Sequence, residues 1–244
     1  MSEFRIDTVF PGFPGKVDRW GLGWGACYLV RFGTEAMMVD TGGPGMEPWI
    51  EKRLNALGVG LQDITKVFLT HIHWDHANNV FYFPNATFYF TETELEFTRR
   101  KGDYAAIPFA VPFLEEHKHY VITKEEEEIF ENATSILLPG HTPGSCALVL
   151  NNNGCITAFT GDAVKNRLDL MTCVASMNPE SEQEKANLRK MKELADVIYP
   201  GHDGKLSIVD GEVIAEGDND VSLVMPEGLL INGVRELKMH ISMG

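Results

Sequence analysis

Four side chains able to bind a metal lie within six residues of this 244-residue chain. They are His71, His73, Asp75 and His76, in the run Thr70-His71-Ile72-His73-Trp74-Asp75-His76. The run follows an apolar segment, KVFLT, that reads as a strand. At a strand end the side-chain period of two lets His71 and His73 point to one side. The turn that follows can bring Asp75 and His76 to a neighbouring position. Neutral imidazole nitrogens and carboxylate oxygens suit zinc and related transition metals. One buried histidine needs only a hydrogen-bond partner. Four such groups packed together without a cation would leave several polar atoms to satisfy.

Three later elements offer the same chemistry. His141 sits in LPGHTPGS, delivered by SILLP and followed by SCALVL, with Gly140 and Gly144 permitting a tight turn. Asp162 ends the β-prone run FTG and could bridge two cations with its two oxygens. His202 follows IYPG. His117, His119 and His240 match no such element, and EEHKHY reads as solvated chain. Ser145 and Cys146 have no adjacent base and read as strand residues, so no serine or cysteine nucleophile is required.

These residues need a scaffold of strands with short connections. Strands are expected at 4-10, 26-32, 35-40, 64-71, 86-91, 119-123, 134-138, 145-150, 155-160 and 196-200. Helical spacing covers 46-57, stopped by Gly58, and 92-101. Prolines at 108 and 112 argue for broken helical turns between 102 and 117. An amphipathic helix spans 181-195, with Ser181 and Glu184 spaced as a capping box. The tail alternates short strands with turns at Asp210-Gly211 and Asn232-Gly233. No polar linker interrupts the chain. The reading is therefore one α+β domain over 1-244, a two-sheet core with helices outside. It carries a helical insertion near 92-117 and a β-rich tail over 206-244. That tail could complete a sheet edge or pack on a second subunit, which leaves a homodimer open.

Composition narrows the function classes. Acidic residues number 35 and basic ones 21, a formal net charge of -14. A phosphate backbone would be repelled, and the densest basic run, Arg99-Arg100-Lys101, is short, so nucleic acid is not expected. No apolar stretch approaches the roughly 20 residues of a membrane helix, and MSEFRIDTVF does not read as a signal peptide. Cys27, Cys146, Cys155 and Cys173 form no CxxC pair and read as small buried hydrophobes. A reducing, cytoplasmic setting fits, with a small-molecule substrate.

Taken together, the HxHxDH run at His71-His76 and the later His141, Asp162 and His202 resemble the metallo-β-lactamase superfamily over roughly residues 4-205. The resemblance implies a four-layer αββα sandwich with metals at one edge of the sheets. It implies two divalent ions, zinc first, with iron, manganese or cobalt also compatible with such ligands. By it, His71, His73 and His141 hold one ion, Asp75, His76 and His202 the other, and Asp162 bridges them. Two cations about 3.5-4 Å apart can hold a bridging hydroxide for attack on an electrophilic carbon or phosphorus. Asp75 is then a ligand and a candidate proton shuttle. Asp40, ending MMVDT, usually supports the metal loop in that family; a turn cap is the alternative.

Length, the 92-117 segment and the KHYVITKEEEEIFENATSILLPGHTPGS stretch resemble the acyl-homoserine-lactone lactonase branch. Lactone or related ester opening is the expected reaction. Trp20, Trp24, Trp74, Phe109 and Phe113 are candidates for an apolar substrate wall, or for core. Where that branch usually has a tyrosine, three residues after the bridging aspartate, this chain has Lys165, a candidate hydrogen-bond donor to an oxyanion. A glyoxalase-II-like thioesterase is the alternative, with Lys165 and Arg167 as candidate cations for its substrate. A phosphodiesterase, or a non-catalytic binding protein on the same fold, ranks below.

Overall fold

The computed structural model describes residues 3–18, 20–216 and 220–241. β1 (Arg5–Phe10) is followed by a small ladder of β2 (Lys16–Val17) and β3 (Trp20–Gly21), then β4 (Cys27–Phe32) and β5 (Glu35–Val39). After α1 (Glu47–Ala56) come β6 (Lys66–Phe68), the single turn α2 (Trp74–Ala77) and β7 (Thr87–Thr91). α3 (Glu92–Arg99) and α4 (Ala110–Glu116) lead to β8 (His119–Ile122). One sheet has the order β1-β4-β5-β6-β7-β8, antiparallel through β5 and parallel from β5 to β8.

The second half begins with β9 (Glu126–Phe130), β10 (Ala133–Leu137), β11 (Cys146–Asn152) and β12 (Cys155–Gly161). α5 (Arg167–Thr172) and α6 (Glu182–Leu194) precede β13 (Val197–Pro200), β14 (Leu206–Val209) and β15 (Glu212–Ala215). These strands form a second sheet, β15-β14-β13-β12-β11-β10-β9, in which only β12 and β13 run parallel. β16 (Val221–Val224) and β17 (Glu236–Met239) make a separate hairpin. The tail therefore divides: β14 and β15 extend a sheet edge, and among the described residues β16 and β17 pair only with each other.

Three apolar layers hold the four-layer arrangement together. Between the sheets lie Tyr28, Met37, Phe68, Leu148, Phe159 and Tyr199. On the outer face of the first sheet, Leu29, Met38 and Phe88 meet Ile50, Leu54, Leu95 and Leu114 of the helices. On the outer face of the second, Val149, Ala158 and Ile198 meet Leu170, Leu188 and Met191. Removing a buried leucine such as Leu54 or Leu188 from such layers costs about 2–5 kcal/mol. No helix among the described residues is long and apolar enough to cross a membrane.

Several local expectations need correction. Pro112 does not break α4; it sits in the first turn, where a missing N–H is harmless. Ser181 Oγ accepts the Glu184 N–H at 3.2 Å, but the Glu184 carboxylate accepts from Asn178 Nδ2 and leaves the capping box half made. β9 hides in an acidic run because Glu127 turns inward, accepting the Tyr120 hydroxyl and the Thr123 N–H. Of the cysteines, Cys27 and Cys146 are buried, whereas Cys155 is exposed and Cys173 is only partly covered. Cys155 opens β12 at the surface, and Cys173 caps α5 in the left-handed region at φ 52° with its side chain packed against the edge of the outer core.

Candidate metal centre

The parallel strands β5, β6 and β7, with β12 and β13, bring their C-terminal ends to one edge of the sandwich. His71 and His73 extend beyond β6, and Asp75 and His76 start the turn of α2. His141 lies in the connection from β10 to β11, Asp162 directly after β12, and His202 after β13. All seven expected residues meet there. The ring centroids of His71 lie 4.6 Å from His73, 4.9 Å from His141 and 4.2 Å from His76. His73 Nδ1 is 3.1 Å from His141 Nε2. Asp162 Oδ1 lies 3.1 Å from His76 Nε2 and 3.2 Å from His202 Nε2, and Asp162 Oδ2 lies 3.4 Å from His141 Nε2. Asp75 Oδ2 is 3.2 Å from His202 Nε2.

Three overlapping triads have ligand atoms close enough to share a cation: His71-His73-His141, His71-His76-Asp162 and Asp75-His76-His202. Asp162 thus stands between the other two groups. Hydrogen bonding also fits a cation. Among the described residues, six buried side-chain atoms lack a hydrogen-bond partner, and four belong here: His71 Nε2, His76 Nε2, His202 Nε2 and Asp162 Oδ1. Buried polar atoms are normally satisfied; the 3.1 and 3.2 Å approaches of His76 and His202 to Asp162 are not hydrogen bonds, and the convergence of these four atoms suits a shared cation better than a closed core. Backbone room is tight: a Cβ on Gly25 would fall 2.8 Å from His76 Nε2.

The outer nitrogens are held. Asp40 Oδ2 lies 2.8 Å from His76 Nδ1, while the same carboxylate accepts the Thr70 N–H and hydroxyl, each at 2.8 Å. Asp40 is therefore a support of the ligand loop. Thr70 Oγ1 is 3.1 Å from His71 Nδ1, the Phe13 carbonyl is 3.1 Å from His202 Nδ1, and Asp103 Oδ2 is 3.0 Å from His73 Nε2. Such partners orient a ligating ring and choose its tautomer.

Charge is balanced across the cluster. Burial, then the neighbouring His76, His73 and His141 rings, hold His71 well below the usual histidine range, and burial holds His141 at about 4. Burial would lower His76 and His202 as well, but the carboxylates around them outweigh it and raise both. Burial would raise Asp75 and Asp162. His76 and His202 nevertheless keep Asp75 at about 2, and His202 with Lys165 keeps Asp162 well below the carboxylate range. Divalent cations bind such carboxylates and imidazoles by displacing protons. Lys165 pairs with Asp162, which raises the lysine against the opposing effect of burial. Burial pushes the Cys146 thiol well above its ordinary range, so it is no nucleophile.

The family profile of the metallo-beta-lactamase superfamily matches residues 20–202. The chain belongs to that superfamily. With two clustered ligand sets on this fold, it is a metal-dependent hydrolase. It is 29% identical over 170 residues to a probable metallo-hydrolase of Methanocaldococcus jannaschii, covering 69% of this chain and 71% of the relative. It is 22% identical over 224 residues to an N-acyl homoserine lactonase of Bacillus cereus, covering 80% of this chain and 85% of that one. A crystal structure of a Bacillus thuringiensis AiiA variant with N-decanoyl-L-homoserine at its active site superposes with a TM-score of 0.65. That pair is 20% identical and covers 82% of this chain and 93% of the other.

A cavity of about 530 Å3 opens over this cluster, lined by Trp74, Asp103, Tyr104, Lys165, Met177 and Glu184 among others. Of the expected aromatic wall, Trp74 alone among the described side chains is placed there. Trp24 stacks on Phe13 with centroids 4.9 Å apart and donates its indole N–H to the Pro11 carbonyl. Phe113 packs between Phe81, Phe88 and His117, and Phe109 lies exposed against Phe81. The Trp20 side chain lies outside the described residues. Tyr104, 87% exposed at the cavity mouth, and Asp103 carried no sequence signal, since they sit in a loop without periodicity. His117, His119 and His240 join none of the triads found among the described residues.

Proposed function

We propose that the chain is a dinuclear metal-dependent hydrolase that opens a lactone or related carboxylic ester. The observation that carries this reading is the convergence of the unpartnered His71, His76 and His202 Nε2 atoms on Asp162 Oδ1 beneath an open cavity. In this reading His71, His73 and His141 hold one ion and Asp75, His76 and His202 the other, with Asp162 between them. Zinc suits these nitrogen and oxygen donors, and iron, manganese or cobalt would also be accepted. A pair of divalent cations held there would supply Lewis acidity and a lowered water pKa. Asp75, at the cavity floor, is ligand and proton acceptor through its carboxylate. The position of Lys165 on the cavity lining beside Asp162 supports a role as donor to a carbonyl oxygen as negative charge grows on it. Trp74 and Tyr104 give the entering substrate an apolar surface.

The lactone preference rests on the named lactonase relatives. The thioesterase alternative loses one of its cations, because Arg167 is committed to Asp203 through Nε at 2.7 Å and a terminal nitrogen at 2.6 Å. The whole chain works as one hydrolase domain in this proposal, with the 92-117 segment as a helical cover and the tail as an appendage. Its four unpaired cysteines suit a reducing cytoplasm. The test is turnover by metal-loaded protein of a panel of lactones, thioesters and bis-nitrophenyl phosphate. Lactone opening is expected; turnover of the phosphodiester alone would overturn the substrate class.

A further inference from the structure

One buried carboxylate has no part in the chemistry above. Glu94, in the first turn of α3, is 1% exposed. Its Oε1 accepts the N–H of Ile72 at 2.9 Å, between His71 and His73. Its Oε2 accepts the Thr142 hydroxyl at 2.6 Å and the Gly144 N–H at 3.2 Å, in the loop that carries His141. The first loop leaves β6 of one sheet and the second joins β10 and β11 of the other. A single side chain therefore ties together two ligand loops from opposite halves of the sandwich. The backbone of α3 fits against Gly144 so closely that a Cβ there would overlap the Glu94 nitrogen and lie 2.6 Å from the Glu94 Cα.

Asp103 acts on the same triad from the cavity side. Its Oδ1 accepts the N–H groups of Ala105 and Ala106 at 2.8 and 2.9 Å, which fixes the carboxylate. Its Oδ2 then faces His73 Nε2 at 3.0 Å, leaving His73 Nδ1 turned to His141 Nε2. The Trp74 N–H donates to the Ala105 carbonyl at 3.0 Å and holds this loop against the ligand segment. Neither carboxylate hydrogen-bonds Asp75, His76 or His202; the outer nitrogens of His76 and His202 face Asp40 and the Phe13 carbonyl.

We propose that the α3–Asp103 segment is a brace for one half of the centre, with Glu94 and Asp103 as positioning residues for His71, His73 and His141. The support of His73 and His141 is then separate from that of His76 and His202, while Asp40 also reaches His71 through the Thr70 hydroxyl. This rests on the dinuclear reading above. A carboxylate partner of a ligating histidine, or of the backbone beside it, tunes ion affinity by about 10–100-fold.

The test compares Asp103→Asn and Glu94→Gln with Asp40→Asn in the full chain loaded with zinc. In Asp103→Asn the side-chain oxygen would stay on the two backbone N–H groups and the NH2 would turn to His73 Nε2, forcing the proton to Nδ1. The readouts are zinc retained per chain against rising chelator, ring-nitrogen NMR of His73 and His76, and circular dichroism for the fold. In the two brace variants one zinc should leave at chelator concentrations about 10–100-fold lower while the second stays. His73 resonances should move in Asp103→Asn and those of His76 should not. In Asp40→Asn the His76 resonances should move and those of His73 should not. Loss of both ions together, or retention equal to wild type, would overturn the brace. Wild-type protein that cannot hold two ions would sink the dinuclear reading itself and the brace with it. Should Glu94→Gln fail to fold, Asp103→Asn decides the matter alone.

Discussion

Asp40→Asn exchanges one oxygen for an NH2 group and should move the proton on His76. In the wild type one Asp40 oxygen accepts the Thr70 N–H at 2.8 Å, and the other faces both the Thr70 hydroxyl and His76 Nδ1. That arrangement holds a proton on Nδ1 and leaves Nε2, directed at Asp162 and the cavity, as the nitrogen that offers its lone pair once a cation displaces its proton. Asparagine must keep its oxygen on the Thr70 N–H, because that donor has no other partner. Its NH2 then points at His76 Nδ1, which can only accept, so the proton sits on Nε2. The backbone gives no competing effect: Asp40 has φ 55°, a region asparagine also tolerates. A displaced lone pair on one ligand should weaken ion binding about 10–100-fold, or roughly 1.4–2.7 kcal/mol. Chelator competition measures the affinity and ring-nitrogen NMR the proton position. Wild-type affinity together with a proton still on Nδ1 would refute the reasoning.

Other outcomes follow from single contacts. Gly161 holds φ 50° and ψ -143°, and a Cβ there would overlap the Thr70 side chain that Asp40 pins. Gly161→Ala should cost about 1–3 kcal/mol in strain and about 1–3 in overpacking. For a domain of this size that is a fall in Tm of roughly 4–24 °C, and an unchanged melting curve would contradict the geometry. Lys165→Met should keep its zinc and lower kcat about 10²–10³-fold; a change in KM alone would assign the lysine to ground-state binding. Glu35 is held below its model-peptide value of 4.5, first by the Lys66 ammonium and then by the Thr65 hydroxyl. A depressed carboxylate stabilises the fold above its unfolded value and loses that contribution as pH falls through its folded value. The Tm gap between wild type and Glu35→Gln should therefore be full above about pH 4.5 and close below it. A gap independent of pH would assign it to packing.

How much could be read from the chain depends on the range of the contact concerned. His71, His73, Asp75 and His76 declare themselves because ligand type and close spacing are local properties. His141, Asp162 and His202 do so because each ends a β-prone run at a glycine-flanked turn. The alternation of apolar residues likewise fixed most strands, since burial on a sheet face repeats every second residue. β9 escaped because its inward Glu127 is satisfied by hydrogen bonds that a polar pattern does not reveal. The aromatic residues looked alike in sequence, yet Trp74 reached the cavity while Trp24 and Phe113 packed elsewhere.

The supporting shell belongs wholly to tertiary structure. Asp103 meets a residue 30 positions away, Glu94 one 48 away, and His202 rests on a carbonyl 189 residues upstream. A carboxylate in solvent and one buried between two ligand loops are the same letter. Only the packing of two sheets against each other decides which oxygen faces which ring. The chemistry available was thus set by residue type and short spacing, and its geometry by contacts no local pattern encodes.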